Sequence, residues 1–204
     1  MRGCRALTEV EIKDVLESFA GEYANRDRAL FTLGVLSGFR VSELLSLKVG
    51  DVTTPAGQVA EWVSVARRAM KKKTEGRSVP LNPKARAALR EWVEELRDGG
   101  HLSPDTPLFL SRKGGNRPLT RQAVHHVLKG VYVANGITGK TGTHSMRKTF
   151  AKSVYAAAVK LARSGQAVDP LTFCQKALGH RSVNSTISYL AVGEDLVAET
   201  ILGL

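Results

Sequence analysis

The hydrophobic positions of this chain recur mostly with a helical period. Within residues 120–134, apolar side chains fall at Val124, Val127, Leu128 and Val131, the i, i+3, i+4, i+7 spacing that places one stripe of a helix against a core. Similar stripes predict helices over residues 8–23, 26–37, 41–47, 83–97, 120–134, 144–161, 171–178 and 183–190, with a tail helix starting at residue 194.

One stretch breaks this pattern and alternates with the period of a strand. Residues 61–65 alternate polar and apolar positions, and residues 77–81 follow a Thr-Glu-Gly turn, so the two runs predict a β-hairpin. Thr8 and Glu11 have the spacing of a capping box at the start of the first helix, and Gly38 interrupts the second. The predicted fold class is therefore mainly α with a small antiparallel β-sheet (α+β).

Composition adds an expectation about the partner. The chain has 204 residues, which suits one domain, and its 30 Lys and Arg against 19 Asp and Glu give a net charge of +11. This excess predicts an anionic partner, with nucleic acid as the leading candidate. Because there is no run of about 18 apolar residues and no apolar secretory segment, we expect a soluble intracellular protein. Cys4 and Cys174 are far apart in sequence and are predicted to be free thiols, the second within a buried helix.

Candidate chemistry comes from three short motifs. They are Arg40 in Gly-Phe-Arg-Val-Ser-Glu, His144 and Arg147 in His-Ser-Met-Arg, and His180 in Leu-Gly-His, followed nine residues later by Tyr189. Two guanidiniums, two imidazoles and a phenol suit attack on a phosphodiester. Taken singly, each motif also has a plain structural interpretation, as a salt-bridged arginine at a core edge or as a half-buried tyrosine.

Together, the types, order and spacing of these residues closely resemble the catalytic domain of the tyrosine recombinase or phage integrase family. The resemblance spans about residues 7–191 and includes a lysine cluster, Lys71 to Lys73, before the second strand of the hairpin. It implies the catalytic-domain fold of that family. It also implies a site-specific recombinase or integrase that cuts and rejoins double-stranded DNA through a 3′-phosphotyrosine intermediate, with no metal, nucleotide or other cofactor.

The resemblance also implies a role for each site residue. Arg40 and Arg147 would bind the non-bridging oxygens of the scissile phosphate, and Tyr189 would attack phosphorus. His144 is the candidate base for the tyrosine, while His180 would donate a hydrogen bond to the phosphate.

A hairpin lysine would act as general acid and protonate the leaving 5′-oxygen. We choose Lys73, although a turn that looks about one residue short would favour Lys72. Recombinases of this family act as tetramers on DNA, and residues 194–204 are the candidate segment for docking into a neighbouring copy; packing on their own domain is equally open. We expect residues 1–204 to form a single catalytic domain without the family's N-terminal core-binding domain, either as a fragment or as a natural minimal form, and to act in the cytoplasm, at the nucleoid.

Several alternatives stay open at this point. The protein could instead be a type IB topoisomerase that relaxes DNA without pairing two sites, or a non-catalytic DNA-binding relative. Glu43 either orients Arg40 or is a surface carboxylate, and His125 and His126 are interpreted as surface or DNA-facing residues. Residues 134–141 match a relaxed phosphate-loop pattern but follow a predicted helix rather than a strand, so we interpret them as a turn. Residues 111–118 carry three positive charges and could lie against a phosphate backbone.

Overall fold

The computed structural model describes residues 3–65 and 77–190, with only the backbone described at Arg77, and the statements below concern those residues. They belong to two compact units, one ending at Phe150 and one starting at Ala151, and each unit is described by itself. The elements are α1 Glu9–Ser18, α2 Ala24–Ser37, α3 Val41–Leu44, α4 Val49–Val52, β1 Trp62–Val65, β2 Arg77–Pro80, α5 Pro83–Asp98, α6 Arg121–Ala134, α7 Thr143–Arg163, α8 Pro170–Leu178 and α9 Val183–Leu190. No helix in these ranges is long and apolar enough to cross a membrane.

Helix α2 is central to the core of the first unit because it is apolar on several sides. Its buried hydrophobic side chains are Ala29, Leu30, Phe31, Leu33 and Val35. Helix α5 packs along it, where the Asn25 amide donates to Glu95 at 3.0 Å and an Arg28 guanidinium nitrogen lies 3.9 Å from Glu91. Since residues early in α2 meet residues late in α5, the two helices run antiparallel. Each fully buried Leu or Phe in this core stabilises the fold by about 1.5–3 kcal/mol.

The two-stranded sheet confirms the predicted hairpin. Strands β1 and β2 pair antiparallel with Val63 opposite Val79 and Ser64 opposite Ser78. The two valines are buried, while the serine side chains are exposed and share a 3.1 Å hydrogen bond. Alternation of side chains across a strand explains why the polar and apolar positions separate in this way. Residues 66–76, which join the strands, lie outside the described residues.

The prediction for the first helix is right at its start and wrong at its end. The Thr8 hydroxyl accepts from the Glu11 N–H, and the Glu11 carboxylate accepts from the Thr8 N–H, which confirms the capping box. Helix α1 then ends at Ser18 rather than near Tyr23. Phe19 has extended backbone geometry and is buried in the core, with its ring centroid 5.9 Å from that of Phe31, so core packing of this side chain accompanies the end of the helix.

The region after Arg40 also differs from the prediction. One helix was expected over residues 41–47, but α3 stops at Leu44 and a second short helix, α4, begins at Val49. The Asp51 carboxylate accepts from the Lys48 N–H at 2.8 Å and thereby caps the start of α4. Four-residue helices are too short to produce a visible period. The hydrophobic pattern therefore made the helix at residue 41 too long and gave no sign of α4.

The second unit contains the helices α8 and α9, both close to their predicted bounds. The Asp169 side chain accepts from the Thr172 N–H at 2.7 Å and caps α8, which ends at Gly179 in a left-handed conformation with φ of 61°. Cys174 is buried within α8, as predicted. The helix predicted over residues 144–161 ends later than expected, because α7 continues to Arg163 and the connecting segment begins only at Ser164. The predicted tail helix lies outside the described residues.

Candidate active site

The candidate site in the first unit is built around the turn that ends α2. Gly38 takes a left-handed φ of 62°, and a Cβ at this position would lie 2.2 Å from a ring carbon of Phe150, so both the conformation and the space require glycine. Phe39 is then buried in the core. The chain emerges at Arg40, directly before α3. This turn therefore fixes where the Arg40 backbone lies.

Glu43 holds the Arg40 side chain. Its carboxylate accepts from the Arg40 backbone N–H and from Arg40 Nη1, both at 2.8 Å. The Glu43 side chain is 2% exposed, whereas that of Arg40 is 39% exposed. A buried carboxylate with two donors from one arginine acts as an orienting group, and the rest of the guanidinium stays accessible. Of the two interpretations left open for Glu43, the structure favours orientation of Arg40.

The first turn of α7 supplies the other two predicted residues of this unit. Arg147 is buried, and its Nη1 donates to the carbonyl oxygen of Gly38. His144 lies one turn earlier on α7 and is exposed. The segment is tied down because the Thr149 hydroxyl accepts from the Leu7 N–H at 2.9 Å. Both candidate arginines are thus attached to the same turn, one through its backbone and one through the Gly38 carbonyl.

The electrostatics of this cluster act on His144. Its pKa is lowered, first because part of the ring is withdrawn from water, and then because the positive charges of Arg147, Arg40 and Lys148 oppose protonation. His144, Arg147 and Lys148 lie together on α7, and Arg147 is bonded to Gly38, two residues before Arg40, so these groups belong to one neighbourhood. With its pKa lowered, the histidine is neutral near pH 7.

In the second unit, His180 and Tyr189 lie together. Gly179 ends α8, and the following His180 N–H donates to Gln175 O at 3.0 Å, so the Leu-Gly-His motif is a helix C-cap. The ring centroids of His180 and Tyr189 are 5.2 Å apart in an edge-to-face arrangement. The His180 Nδ1 lies 3.0 Å from the hydroxyl oxygen of Thr186, which is buried. Tyr189 is half-buried on α9, one helical turn beyond Thr186.

Thr186 is the residue that the sequence interpretation missed. Its hydroxyl forms a hydrogen bond with Nδ1 of His180. This bond sets the orientation of the ring and therefore the direction in which the other ring nitrogen, Nε2, points. The available signal was its spacing, three residues before Tyr189 on the same helix, which places the two side chains on one face.

The structure thus groups the predicted site residues in two sets, each within its own unit. Arg40, His144 and Arg147 come together in the first unit, and His180 and Tyr189 come together in the second. Lys73 and its alternative Lys72 lie outside the described residues, so the choice between them stays a prediction.

Two other sequence interpretations can be compared with the structure. His125 and His126 are both exposed on α6, with ring centroids 6.1 Å apart. Residues 134–141 follow helix α6 rather than a strand, and they turn through Gly136 and Gly139, whose φ angles are 63° and 82°. The turn interpretation of this segment is therefore confirmed, because a phosphate loop of this pattern joins a strand to a helix.

Comparison with known proteins gives a consistent result. The profile described as "Phage integrase family" matches residues 5–195. Tyrosine recombinase XerC of Herpetosiphon aurantiacus is 30% identical over 197 residues, covering 94% of this chain and 57% of the relative. Tyrosine recombinase XerD of Corynebacterium glutamicum is 31% identical over 178 residues, covering 87% of this chain and 52% of the relative. The chain therefore spans little more than half the length of these relatives.

Two solved structures show the same fold. The crystal structure of XerA recombinase superposes with a TM-score of 0.71 at 22% identity, covering 100% of this chain and 66% of that one. The post-cleavage complex of XerH site-specific recombinase with palindromic difH substrate gives a TM-score of 0.66 at 24% identity, covering 97% of this chain and 52% of that one. The predicted fold, mainly α with a small antiparallel sheet and of the tyrosine recombinase catalytic-domain type, is confirmed.

Proposed function

Because the chain belongs to the phage integrase family, we propose that it is a tyrosine-type site-specific DNA recombinase that cuts and rejoins strands through a 3′-phosphotyrosine intermediate. The observation that carries the proposal is the attachment of Arg40 and Arg147 to one turn, with His144 in their field. We also propose that residues 1–204 work as one catalytic domain.

The two arginines bind the scissile phosphate in this proposal. Guanidiniums are permanently charged and present paired donors that match phosphate oxygens. They also stabilise the extra negative charge of the pentacoordinate transition state, since their positions are set before the reaction begins. Glu43 supports this role by holding Arg40 through its Nη1, while the Arg40 side chain stays 39% exposed.

Tyr189 is the nucleophile. Its phenolic oxygen forms a bond to phosphorus as the bond from phosphorus to the 5′-oxygen breaks, and the phenolic proton passes to His144, whose lowered pKa keeps it neutral and able to accept. With Nδ1 of His180 accepting from Thr186, its Nε2 carries a proton and donates it in a hydrogen bond to a phosphate oxygen. Lys73 protonates the leaving 5′-oxygen.

Religation is the reverse reaction with a 5′-hydroxyl as nucleophile. The phosphotyrosine ester retains the energy of the broken phosphodiester, so neither ATP nor a metal ion is needed to reseal the strand. Double-stranded DNA is the substrate, and we propose that copies of the chain assemble as a tetramer on paired sites. The names of the relatives, which are tyrosine recombinases, support the assignment to DNA recombination.

The test is trapping of the covalent intermediate. A library of duplexes, each nicked near a randomised centre so that the released fragment diffuses away, is incubated with the protein and with Tyr189→Phe. Protein–DNA adducts that resist denaturation and are absent from Tyr189→Phe are expected, and sequencing of the trapped DNA identifies the target. An adduct that persists in Tyr189→Phe, or no adduct from any sequence, would refute the proposal. Relaxation of supercoiled plasmid without exchange between paired sites would instead indicate a type IB topoisomerase.

A further inference from the structure

The net charge of this protein is concentrated in one part of the sequence. Residues 106–168 contain eleven Lys and Arg and neither Asp nor Glu, so they carry a charge equal to the whole net charge of +11. The remaining residues are balanced. A surface that faces an anion is therefore expected in this stretch.

Within this stretch, residues 111–118 form a projecting turn that we name the basic tongue. An antiparallel bridge joins Leu110 to Pro118, and the Ser111 N–H donates to Arg117 O at 2.8 Å, so the two ends of the tongue are closed against each other. Three successive residues at the tip are left-handed, with φ of 71° at Gly114, 68° at Gly115 and 50° at Asn116. The tongue therefore has a defined backbone.

The tongue carries three cations and no acid. Arg112, Lys113 and Arg117 are all exposed, and none of them forms a salt bridge with an acid in the described parts of the chain. The next helix, α6, adds two more exposed cations, Arg121 and Lys129. Closely spaced cations of one sign repel one another, so the arrangement is stabilised when an anion binds across it.

A buried arginine holds the base of the tongue. Arg26 is 3% exposed, and its Nη1 donates to Leu110 O at 2.8 Å, directly before the tongue. The same guanidinium pairs with Asp27 at 2.8 Å and lies 4.3 Å above the Tyr23 ring centroid. A charge that is buried and fully engaged in this way fixes the group it binds, since releasing it would leave buried charge uncompensated.

We propose that the basic tongue contacts the phosphate backbone of duplex DNA and that Arg26 is the positioning residue that holds the tongue for this contact. The proposal rests on the proposed function only in naming DNA as the partner. A polyphosphate is favoured over an acidic peptide because the tongue is exposed, unpaired with described acids and without an apolar side chain at its tip, whereas peptide sites combine charge with apolar pockets.

The first experiment measures duplex affinity against salt. The triple variant R112A/K113A/R117A is compared with the unchanged protein and with K13A/K84A/R90A, which removes three exposed cations from α1 and α5. Loss of three phosphate contacts makes the negative slope of log association constant against log salt shallower by about 2.7. It also weakens binding roughly 10²-fold at 0.1 M salt. The control variant is expected to keep the slope. Equal effects of the two variants, or an unchanged slope in the tongue variant, would overturn the proposal.

The second experiment tests Arg26 in two backgrounds. R26Q is expected to weaken duplex binding at least tenfold in the unchanged protein and to have no further effect on binding in R112A/K113A/R117A, because the contacts it positions are already gone. Its effect on thermal stability should be the same in both backgrounds. An equal loss of affinity in the two backgrounds would show that Arg26 acts only through general stability and would refute its positioning role.

These outcomes separate the tongue from the proposed chemistry. Weaker duplex binding by the tongue variants together with no Tyr189 adduct would support the tongue and refute strand transfer. Adduct formation by the unchanged protein with duplex affinity unaltered in the tongue variants would refute the tongue alone. Polyglutamate that competes as well as duplex at equal charge would show attraction to any polyanion and would also count against a phosphate contact.

Discussion

Replacing Glu43 by glutamine tests whether a buried carboxylate prepares Arg40 for the phosphate. The change keeps the size of the side chain and removes its charge. In the native protein the carboxylate accepts two hydrogen bonds at 2.8 Å, one from the Arg40 N–H and one from Arg40 Nη1. An amide offers one oxygen and one NH₂ group, so one of the two Arg40 donors would face another donor. The guanidinium is then expected to leave its present orientation.

The size of the effect follows from burial. A hydrogen bond to a charged group contributes about 1.5–3 kcal/mol, against about 0.5–1.5 kcal/mol for a neutral one. Glu43 is 2% exposed, but the Arg40 side chain is 39% exposed, so water screens part of the attraction. We therefore expect a stability loss of about 1–2 kcal/mol. Misorientation of a group that contacts the reacting phosphate is expected to slow adduct formation by about 10–100-fold, by analogy with groups that orient metal ligands.

The assay is single-turnover formation of the Tyr189 adduct at saturating protein, with the melting temperature measured in parallel. Asp51→Asn is the matched control, because Asp51 accepts the Lys48 N–H at 2.8 Å in the same capping position of α4. Glu43→Gln should slow the reaction while Asp51→Asn does not. If both variants react at the rate of the unchanged protein, or if both are slowed equally, the idea that Glu43 orients Arg40 is wrong.

Three further predictions concern stability and the histidine cap. Glu11 has its pKa lowered to about 2, chiefly by its hydrogen bond to Arg5, so Glu11→Gln should lower the urea-measured stability by about 1 kcal/mol at pH 7, and the difference should disappear as the pH falls from about 4.3 towards 2. Gly38→Ala should lower the melting temperature more than Gly136→Ala, because both sites are left-handed but only the first would place a Cβ against a phenylalanine ring; equal shifts would refute the clash. Thr186→Val should slow adduct formation about tenfold and Thr186→Ser should not, if its hydroxyl orients the neighbouring histidine.

The bounds of some helices could be predicted almost to the residue. Helix α6 begins one residue after the predicted start and ends at the predicted residue, and α9 has the predicted bounds. The end of α1 could not be predicted, because it is accompanied by burial of Phe19 against Phe31, a contact with a residue twelve positions away. Local periodicity carries no information about such a contact, and tertiary packing decides it.

In the candidate site, too, some features could be predicted from the sequence and others depend on tertiary contacts. The types and order of Arg40, His144, Arg147, His180 and Tyr189 were sufficient to indicate a phosphodiester site through a family resemblance. The acceptor for Arg147 could not be predicted, since it is the backbone carbonyl of Gly38, and every residue carries a carbonyl. Roles for these residues stay predictions until the adduct is measured. The same holds for Lys73, which lies outside the described residues.

The cluster around Gly38 links phosphate binding to the basicity of His144. Partial burial lowers the pKa of His144, and in the proposed reaction the charges of Arg147 and Arg40 that attract the phosphate lower it further, so the ring is neutral before substrate binds. A bound phosphodiester brings negative charge to the same place and opposes that effect, because an anion favours the imidazolium. The pKa of His144, followed by NMR in Tyr189→Phe, should therefore lie below about 6.5 in the free protein and rise when duplex is added. A pKa that stays the same or falls would show that the phosphate does not bind beside His144, and proton transfer from the tyrosine would then need another acceptor.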